Sequence, residues 1–205
     1  MKERIQHKAN DLFCRYGVRS ITMDEIAAQL GMSKKTIYQF FEDKDELVDA
    51  VLEDLIRFSR TCCNKDREES INAIDEIFRA MEFVEEMFAN MNPAMLFDLE
   101  RFHPRSFQKF LEHKNKYLFQ MIRSNLERGI AEGLYRPEIN IDIIARFRLE
   151  GIMFAFNQGT FPAGKYNLAE LHQQIMEHFL FGVASIKGFK LILKYQQERL
   201  KTNVK

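Results

Sequence analysis

Residues 21–41 read ITMDEIAAQLGMSKKTIYQFF, and this stretch decides the fold of the N-terminal part of the chain. Thr22 is followed three residues later by Glu25, a capping box that predicts the start of a helix. Gly31 can adopt the positive φ of a sharp turn, and Ser33 is a favourable cap for the next helix. Two short helices joined by a glycine-containing turn predict a helix-turn-helix.

The helix that follows Ser33 carries cations where a helix usually prefers acids. Lys34 and Lys35 occupy its first turn, which contains no acidic residue. Cations at a helix N-terminus oppose the macrodipole, so the arrangement favours an external anion such as a DNA phosphate. We expect Ile37 and the Phe40–Phe41 pair to face inward. The side chains left for phosphates and base edges are then Lys34, Lys35, Thr36, Tyr38 and Gln39.

The segment from Ile21 to Leu47 resembles the DNA-binding signature of the TetR family of transcriptional regulators. In particular, residues 31–41 (GMSKKTIYQFF) are similar to the turn and recognition helix of that family. The resemblance implies a homodimer that binds a palindromic operator in double-stranded DNA and is released by a small-molecule inducer. It further implies phosphate contacts from Thr22, Ser33, Lys34, Tyr38 and Lys44, and base contacts from Lys35, Thr36 and Gln39.

The rest of the chain is also predicted to be helical. Only 4 prolines occur in 205 residues, and apolar residues recur at helical spacing. After a first helix that stops at Gly17 and the helix-turn-helix, a connecting helix is predicted over 43–60. Further helices are predicted at about 70–90, 93–102, 104–132, 140–160 and 168–200. The expectation is an all-α chain of about nine helices, with a DNA-binding domain at 1–60 and a helical ligand-binding and dimerisation domain at 61–205. The polar stretch 61–69 marks the boundary.

Composition limits the function further. The chain has 30 Lys+Arg against 30 Asp+Glu, although residues 1–41 hold 7 basic against 4 acidic residues. A basic local face supports DNA binding weakly. No apolar stretch approaches the roughly 18 residues that span a bilayer, and the N-terminus lacks the apolar region of a signal peptide. These features predict a cytoplasmic protein without a membrane partner.

Residues 78–107 predict where a ligand binds. Phe and Met occupy ten of these thirty positions, against 29 of 205 in the whole chain. Such adaptable side chains suit a cavity for an apolar ligand, although at helical spacing they can equally fill a core. We expect the ligand to enter among the C-terminal helices and to move the 43–60 helix. The candidate lining residues are Phe78, Met81, Phe88, Phe97, Phe102, Tyr117, Met121, Phe147 and Phe154.

The last helices are predicted to form the dimer interface. The segment 168–195 carries an apolar stripe nearly six turns long, with small residues that permit close helix approach. A stripe of that length would be a liability if a monomer exposed it. The alternative is that the stripe packs wholly inside one subunit. The small residues are Gly182, Ala184, Ser185 and Gly188, with Gly151 and Ala155 on the preceding helix.

No catalytic or metal-binding pattern is evident. His172 and His178 are six residues apart and do not share a helix face, and Cys14, Cys62 and Cys63 lack the spacing of a zinc site. We therefore predict no enzymatic activity, no metal and no cofactor. The function favoured is a sequence-specific repressor. The alternative is a helical ligand-binding or adaptor protein that does not bind DNA specifically.

Overall fold

The computed structural model describes residues 1–202, with side chains described for residues 1–199. The prediction of an all-α fold is confirmed, since this part of the chain forms no strand. Its elements are α1 (Lys2–Tyr16), α2 (Met23–Leu30), α3 (Lys34–Tyr38), α4 (Lys44–Glu69), α5 (Ala73–Phe88), α6 (Met95–Phe102), α7 (Pro104–Glu112), a π-helical segment (His113–Leu118), α8 (Phe119–Ala131), α9 (Ile141–Phe154), α10 (Leu168–Val183) and α11 (Ile186–Thr202). The π-helical segment joins α7 and α8 into one continuous helix, as predicted for 104–132.

The first three helices and the start of α4 surround one core. Met95 and Leu99 of α6, from the C-terminal part of the chain, complete that core. The helical spacing of the apolar residues turns them all to the same interior. The members that are at most 1% exposed are Ile5, Ala9, Phe13, Val18, Ile26, Ile37, Phe41 and Leu47.

Helix α4 extends beyond its predicted end. The sequence predicted that this helix stops near Arg60, but it continues to Glu69, where Ser70 adopts the extended conformation of a C-cap. The polar stretch 61–69 contains no Gly or Pro, so nothing in it breaks the helix that precedes it. The division of the chain into domains at 60 and 61 remains a prediction.

The C-terminal helices enclose a second core between α5, α8, α9, α10 and α11. Tyr135 is fully buried in it, and its ring lies so close to Gly129 that a Cβ there would be 2.0 Å from the ring. The Tyr135 hydroxyl donates to the carbonyl of Ala73 at 3.2 Å, which satisfies the one polar atom of this side chain. No helix in residues 1–202 is long and apolar enough to cross a bilayer.

The predicted helix 168–200 is wrong in one respect, because two helices occupy this range. Ala184 is extended, and the Ser185 N–H donates to the carbonyl of Leu134 at 2.9 Å. The Ser185 hydroxyl accepts from the N–H of Gly188 at 3.1 Å, which caps the start of α11. Because the segment after α8 bonds to the backbone at 183–185, the helix breaks there, and the described chain has one more helix than predicted.

Candidate DNA-binding surface and ligand cavity

The predicted helix-turn-helix forms from α2, Gly31 and α3. The Glu25 N–H donates to the Thr22 hydroxyl at 3.2 Å, and the Thr22 N–H donates to the Glu25 carboxylate at 2.6 Å, which completes the capping box. Gly31 has φ +65°, and its N–H and that of Met32 bond back to the carbonyls at the end of α2. The turn therefore needs glycine for its conformation.

Helix α3 presents the predicted contact residues on its outer side. Ser33 caps it by accepting from the Thr36 N–H at 3.2 Å, and fully buried Ile37 anchors its inner side. Lys34, Lys35, Tyr38 and Gln39 are exposed, and Thr36 is half-buried. The helix ends at Tyr38, and Gln39 follows as its C-cap. The contact residues thus lie on one exposed side of a short helix.

Lys34 has a partner that the sequence argument did not foresee. Its Nζ lies 2.7 Å from the Asp24 carboxylate of α2, and this hydrogen bond raises the pKa of Lys34. The acid missing from the first turn of α3 is thus supplied by the neighbouring helix. The premise that Lys34 needs an external anion is wrong for the chain alone, although an exposed ion pair is weak and can exchange partners.

The Lys44 side chain is held by contacts within the chain, although it is assigned as a phosphate contact. It is half-buried, its Nζ donates to the carbonyl of Val18 at 2.6 Å, and its charge lies 5.9 Å above the Phe13 ring. Burial lowers its pKa. The side chain joins the start of α4 to the turn between α1 and α2.

A set of polar contacts ties the DNA-binding helices to α6 and α7. His103 Nδ1 lies 2.6 Å from the Asp45 carboxylate, and Lys109 Nζ lies 2.6 Å from that of Asp49. The Asp98 carboxylate accepts from the Arg19 N–H at 2.9 Å. His103 and its acid are 58 residues apart, so local sequence patterns could not pair them.

A cavity of about 260 Å³ lies in the C-terminal part of the chain. Its wall is mostly apolar and is formed by α4, α5, α6, the end of α7, the π-helical segment, α8, α9 and α10. Three of the nine predicted lining residues, Met81, Phe88 and Met121, contribute to this wall. Methionine supplies much of the rest, which suits ligands of varied shape.

The other six predicted residues lie elsewhere, and their assignment to the cavity is corrected. Phe78 is buried against Tyr195 outside the cavity, while Tyr117 stacks on His113 and donates to the Asn64 side chain. The remaining four are at least 38% exposed: Phe97, Phe102, Phe147 and Phe154. An aromatic residue on a helix can face inward or outward, and residue type alone did not separate these two cases.

The cavity also has polar wall residues that the sequence analysis did not assign to it. Arg148 of α9 and His172 of α10 both line it. Burial and the nearby charge of Arg148 lower the pKa of His172 to about 4. His113 of the π-helical segment lies 3.3 Å from the Ser59 hydroxyl, and its Nδ1 is buried without a hydrogen-bond partner. The described residues contain no cluster of His, Cys, Asp and Glu that could hold a metal ion.

An all-α chain with an exposed helix-turn-helix and an internal cavity has the architecture of a ligand-responsive DNA-binding regulator. A sequence profile described as "Bacterial regulatory proteins, tetR family" matches residues 5–51. The transcriptional repressor KstR2 of Mycolicibacterium smegmatis is 25% identical over 92% of this chain and 93% of its own length. On this evidence residues 5–51 match the DNA-binding part of TetR-family transcriptional regulators, and the chain is similar to the repressor KstR2 over most of its length.

Solved structures share the fold over nearly the whole chain. A TetR-family regulator from Agrobacterium tumefaciens has a TM-score of 0.75 at 17% identity, covering 90% of this chain and 97% of its own. A regulator from Saccharomonospora viridis in complex with choline has a TM-score of 0.70 at 16% identity, with coverage of 90% and 97%. FadR of Bacillus subtilis in complex with stearoyl-CoA has a TM-score of 0.64 at 16% identity, with coverage of 89% and 100%. At these identities the likeness concerns the fold.

Proposed function

We propose that the chain is a homodimeric repressor that binds a palindromic operator and is released when a small, largely apolar ligand occupies the cavity. The observation that carries the proposal is that α6 contributes both to the wall of the cavity and to the core of the DNA-binding helices. Leu99 lines the cavity and also belongs to the core of the DNA-binding helices, while neighbouring Asp98 holds the Arg19 N–H. A regulator of this kind acts on the chromosome, in the cytoplasm.

The proposed DNA contacts follow from exposure and chemistry. Thr22, Ser33, Lys34, Tyr38 and Lys44 are assigned to phosphates, and Lys35, Thr36 and Gln39 to base edges. Lys35 and Gln39 are exposed and their side chains make no hydrogen bond within the described chain, so they are free for a major groove. Lys44 would have to leave the Val18 carbonyl or contact a phosphate with its remaining donors.

A dimer is supported by apolar side chains that one protomer leaves uncovered. On α9, Ile143 is 62% and Phe147 is 59% exposed, and on α11, Ile186 is 82% exposed. The α10 half of the predicted stripe behaves differently, because Phe179 and Val183 are buried within the protomer. Gly188 also packs within the protomer, since a Cβ there would lie 2.0 Å from the Leu134 carbonyl oxygen. The proposed interface is therefore the outer faces of α9 and α11.

Ligand control is supported by the position of the cavity and by the relatives. The complexes with choline and with stearoyl-CoA show that regulators of this fold accommodate small molecules of different kinds. A ligand can change operator affinity only if it binds the two states of the dimer unequally. Two half-sites fix the recognition helices about 34–36 Å apart, so a small displacement of α4 and α6 would remove the fit.

The test is a mobility-shift assay with the DNA that flanks the gene for this chain, at several salt concentrations. We expect retardation that is sequence-selective and weakens as salt is raised. A variant with Lys35 and Gln39 both changed to Ala is the matched control, because neither side chain supports the fold. Absence of binding to any genomic fragment at low salt would contradict the proposal and favour a ligand-binding or adaptor protein that does not recognise DNA.

A further inference from the structure

Arg148 is the unusual group on the wall of the cavity. Its Nε is buried without a hydrogen-bond partner, and its guanidinium makes no ion pair with any described carboxylate. The neighbour that does contact it is the Phe179 ring, whose centroid lies 5.3 Å from Cζ. A guanidinium in an apolar interior normally has a hydrogen-bonded anion, because five N–H donors are otherwise left without acceptors.

The other charged groups on the wall form their ion pairs elsewhere, although the charge of Glu76 also acts on Arg148. Glu76 is paired with Arg128, whose Nη1 lies 3.1 Å away, and Lys114 is paired with Glu150 at 2.7 Å. Asp66 also lines the cavity. Burial raises its pKa, and the charges acting on it are those of Arg79, Glu76, Glu69 and Lys65 rather than Arg148. Among the described residues that line the cavity, Arg148 is the one arginine or lysine that makes no direct ion pair.

The groups around Arg148 are neutral hydrogen-bonding side chains. His172, which senses the charge of Arg148, keeps a pKa of about 4 and is neutral at neutral pH. Burial raises the pKa of the Cys63 thiol to about 11, so that it stays protonated. Asn125 is fixed by donating to the Ala73 carbonyl at 2.9 Å and accepting from Tyr135. This corner of the cavity thus offers a fixed positive charge and at least one N–H donor, with an otherwise apolar wall beyond.

We propose that the ligand of this cavity is an amphiphile with one carboxylate, which pairs with the guanidinium of Arg148 while its hydrocarbon part lies among Met81, Phe88 and Met121. The inference rests on the proposed function in taking the cavity as the ligand site. Guanidinium and carboxylate match in geometry and charge, and their pairing is strengthened where water is excluded. An ester of the same hydrocarbon fills the same space without the anion, so the two compounds separate the contribution of charge from that of apolar burial.

The experiment measures binding of octanoate, dodecanoate and hexadecanoate, and of their methyl esters, by calorimetry on the full-length protein. The variants are Arg148→Met, Arg148→Gln and Arg148→Lys. The matched control is Arg146→Met, which removes an exposed arginine of the same helix that is paired with Asp142. We expect at least one carboxylate to bind the wild-type chain at least about tenfold more tightly than its ester. Arg148→Met and Arg148→Gln should abolish this preference, Arg148→Lys should keep part of it, and Arg146→Met should keep all of it.

Several outcomes would overturn the inference. These are equal binding of acid and ester by the wild-type chain, a preference that survives Arg148→Met and Arg148→Gln, or no binding by any carboxylate of the series. Thermal unfolding without ligand gives a second readout, because replacing an unpaired buried charge by an apolar group of similar size should not lower the melting temperature. A marked loss of stability in all three Arg148 variants, with ligand preference intact, would show a structural role instead.

The proposed function can fail separately from this inference. A chain that prefers carboxylates through Arg148 but binds no operator has the ligand site without the regulatory activity. A chain that binds its operator but shows no preference for carboxylates is a regulator with a different class of ligand. Measuring operator binding on the same protein samples distinguishes these two cases.

Discussion

The carboxylate of Asp98 accepts a hydrogen bond from the backbone N–H of Arg19 at 2.9 Å, across 79 residues of sequence. Asp98 lies on α6 and is 7% exposed, and Arg19 lies in the turn between α1 and α2. The same carboxylate approaches Gly17 so closely that a Cβ there would be 2.9 Å from Oδ2. One side chain therefore attaches the wall of the cavity to the turn that precedes the helix-turn-helix.

Asp98→Ala should separate ligand binding from release of the operator. The substitution leaves the Arg19 N–H without its acceptor, and we expect a loss of about 1–3 kcal/mol in the free energy of unfolding. Ligand affinity should stay close to wild-type, because the Asp98 side chain does not line the cavity. The measurement is operator affinity with and without saturating ligand. Asp98→Asn, which keeps an acceptor oxygen, is the control, and an unchanged ligand effect in Asp98→Ala would show that coupling takes another route.

Gln39→Ala should relax sequence preference, whereas Tyr38→Ala should weaken binding to all sequences alike. Gln39 is assigned to a base edge, where a bidentate contact is worth about 1–3 kcal/mol against the wrong base, while Tyr38 is assigned to a phosphate. Both are exposed in the free chain, so neither change should affect the fold. Selection of preferred operators from a randomised pool is the measurement. If the selected sequences were the same for wild-type and Gln39→Ala, the base assignment would be wrong.

The helix-turn-helix could be predicted in detail because its signals are local. The capping box at Thr22, the glycine turn and the Ser33 cap each involve residues at most five positions apart, and all three form as predicted. The Lys34 partner was missed because Asp24 lies ten residues away on another helix. Local patterns determine where helices start and stop, while tertiary packing determines which charges meet.

The cavity residues show more strongly that local sequence patterns do not reveal tertiary packing. Phe88 and Phe147 are both aromatic residues on helices, yet the first lines the cavity and the second is exposed. Nothing in the sequence distinguishes Arg148 from Arg146, which stands two residues earlier and is solvated. Which face of a helix points inward depends on the helices that pack against it, and one sequence does not reveal which helices those are. The break at Ala184 was missed for a related reason, because the segment after α8 that hydrogen-bonds to residues 183 and 185 lies about fifty residues earlier.

Gly188→Ala should destabilise the fold. The added Cβ would lie 2.0 Å from the Leu134 carbonyl oxygen and 3.0 Å from its carbon, which are backbone atoms that cannot move aside cheaply. Overpacking of this kind costs about 1–3 kcal/mol or more, and the melting temperature should fall by several degrees. Gly164→Ala is the control, since nothing lies within 4 Å of the new methyl group and the loop is exposed. Equal stability of the two variants would show that α11 can shift away from Leu134.

His172 should make the fold sensitive to acid. Burial lowers the pKa of this imidazole from about 6.5 to about 4, so below pH 6.5 the unfolded chain binds a proton that the folded chain resists. Its contribution to stability is complete above about pH 6.5 and is lost as the pH falls toward 4, with a total on the order of 3 kcal/mol. Urea unfolding at a series of pH values is the measurement. His113 has the same lowered pKa, so His172→Gln should reduce the slope in this window without removing it, whereas His178→Gln, exposed on the same helix, should leave the slope unchanged. Equal slopes in both variants would exclude His172 as a source.

Ile186→Lys should convert the proposed dimer into monomers without unfolding the protomer. Ile186 is 82% exposed in one protomer, so a lysine there can remain in water and the melting temperature of the monomer should change little. In a two-fold interface the change occurs twice, and each copy replaces apolar contact by a charge that must be desolvated. Sedimentation velocity over a dilution series measures the dissociation constant of the dimer, which we expect to rise at least about a hundredfold on this basis. The control is Ile71→Lys, which changes an isoleucine that is 76% exposed in the turn between α4 and α5 and belongs to neither α9 nor α11. A dimer that tolerates Ile186→Lys as well as Ile71→Lys would place the interface elsewhere, and operator affinity in that variant should then remain at the wild-type value.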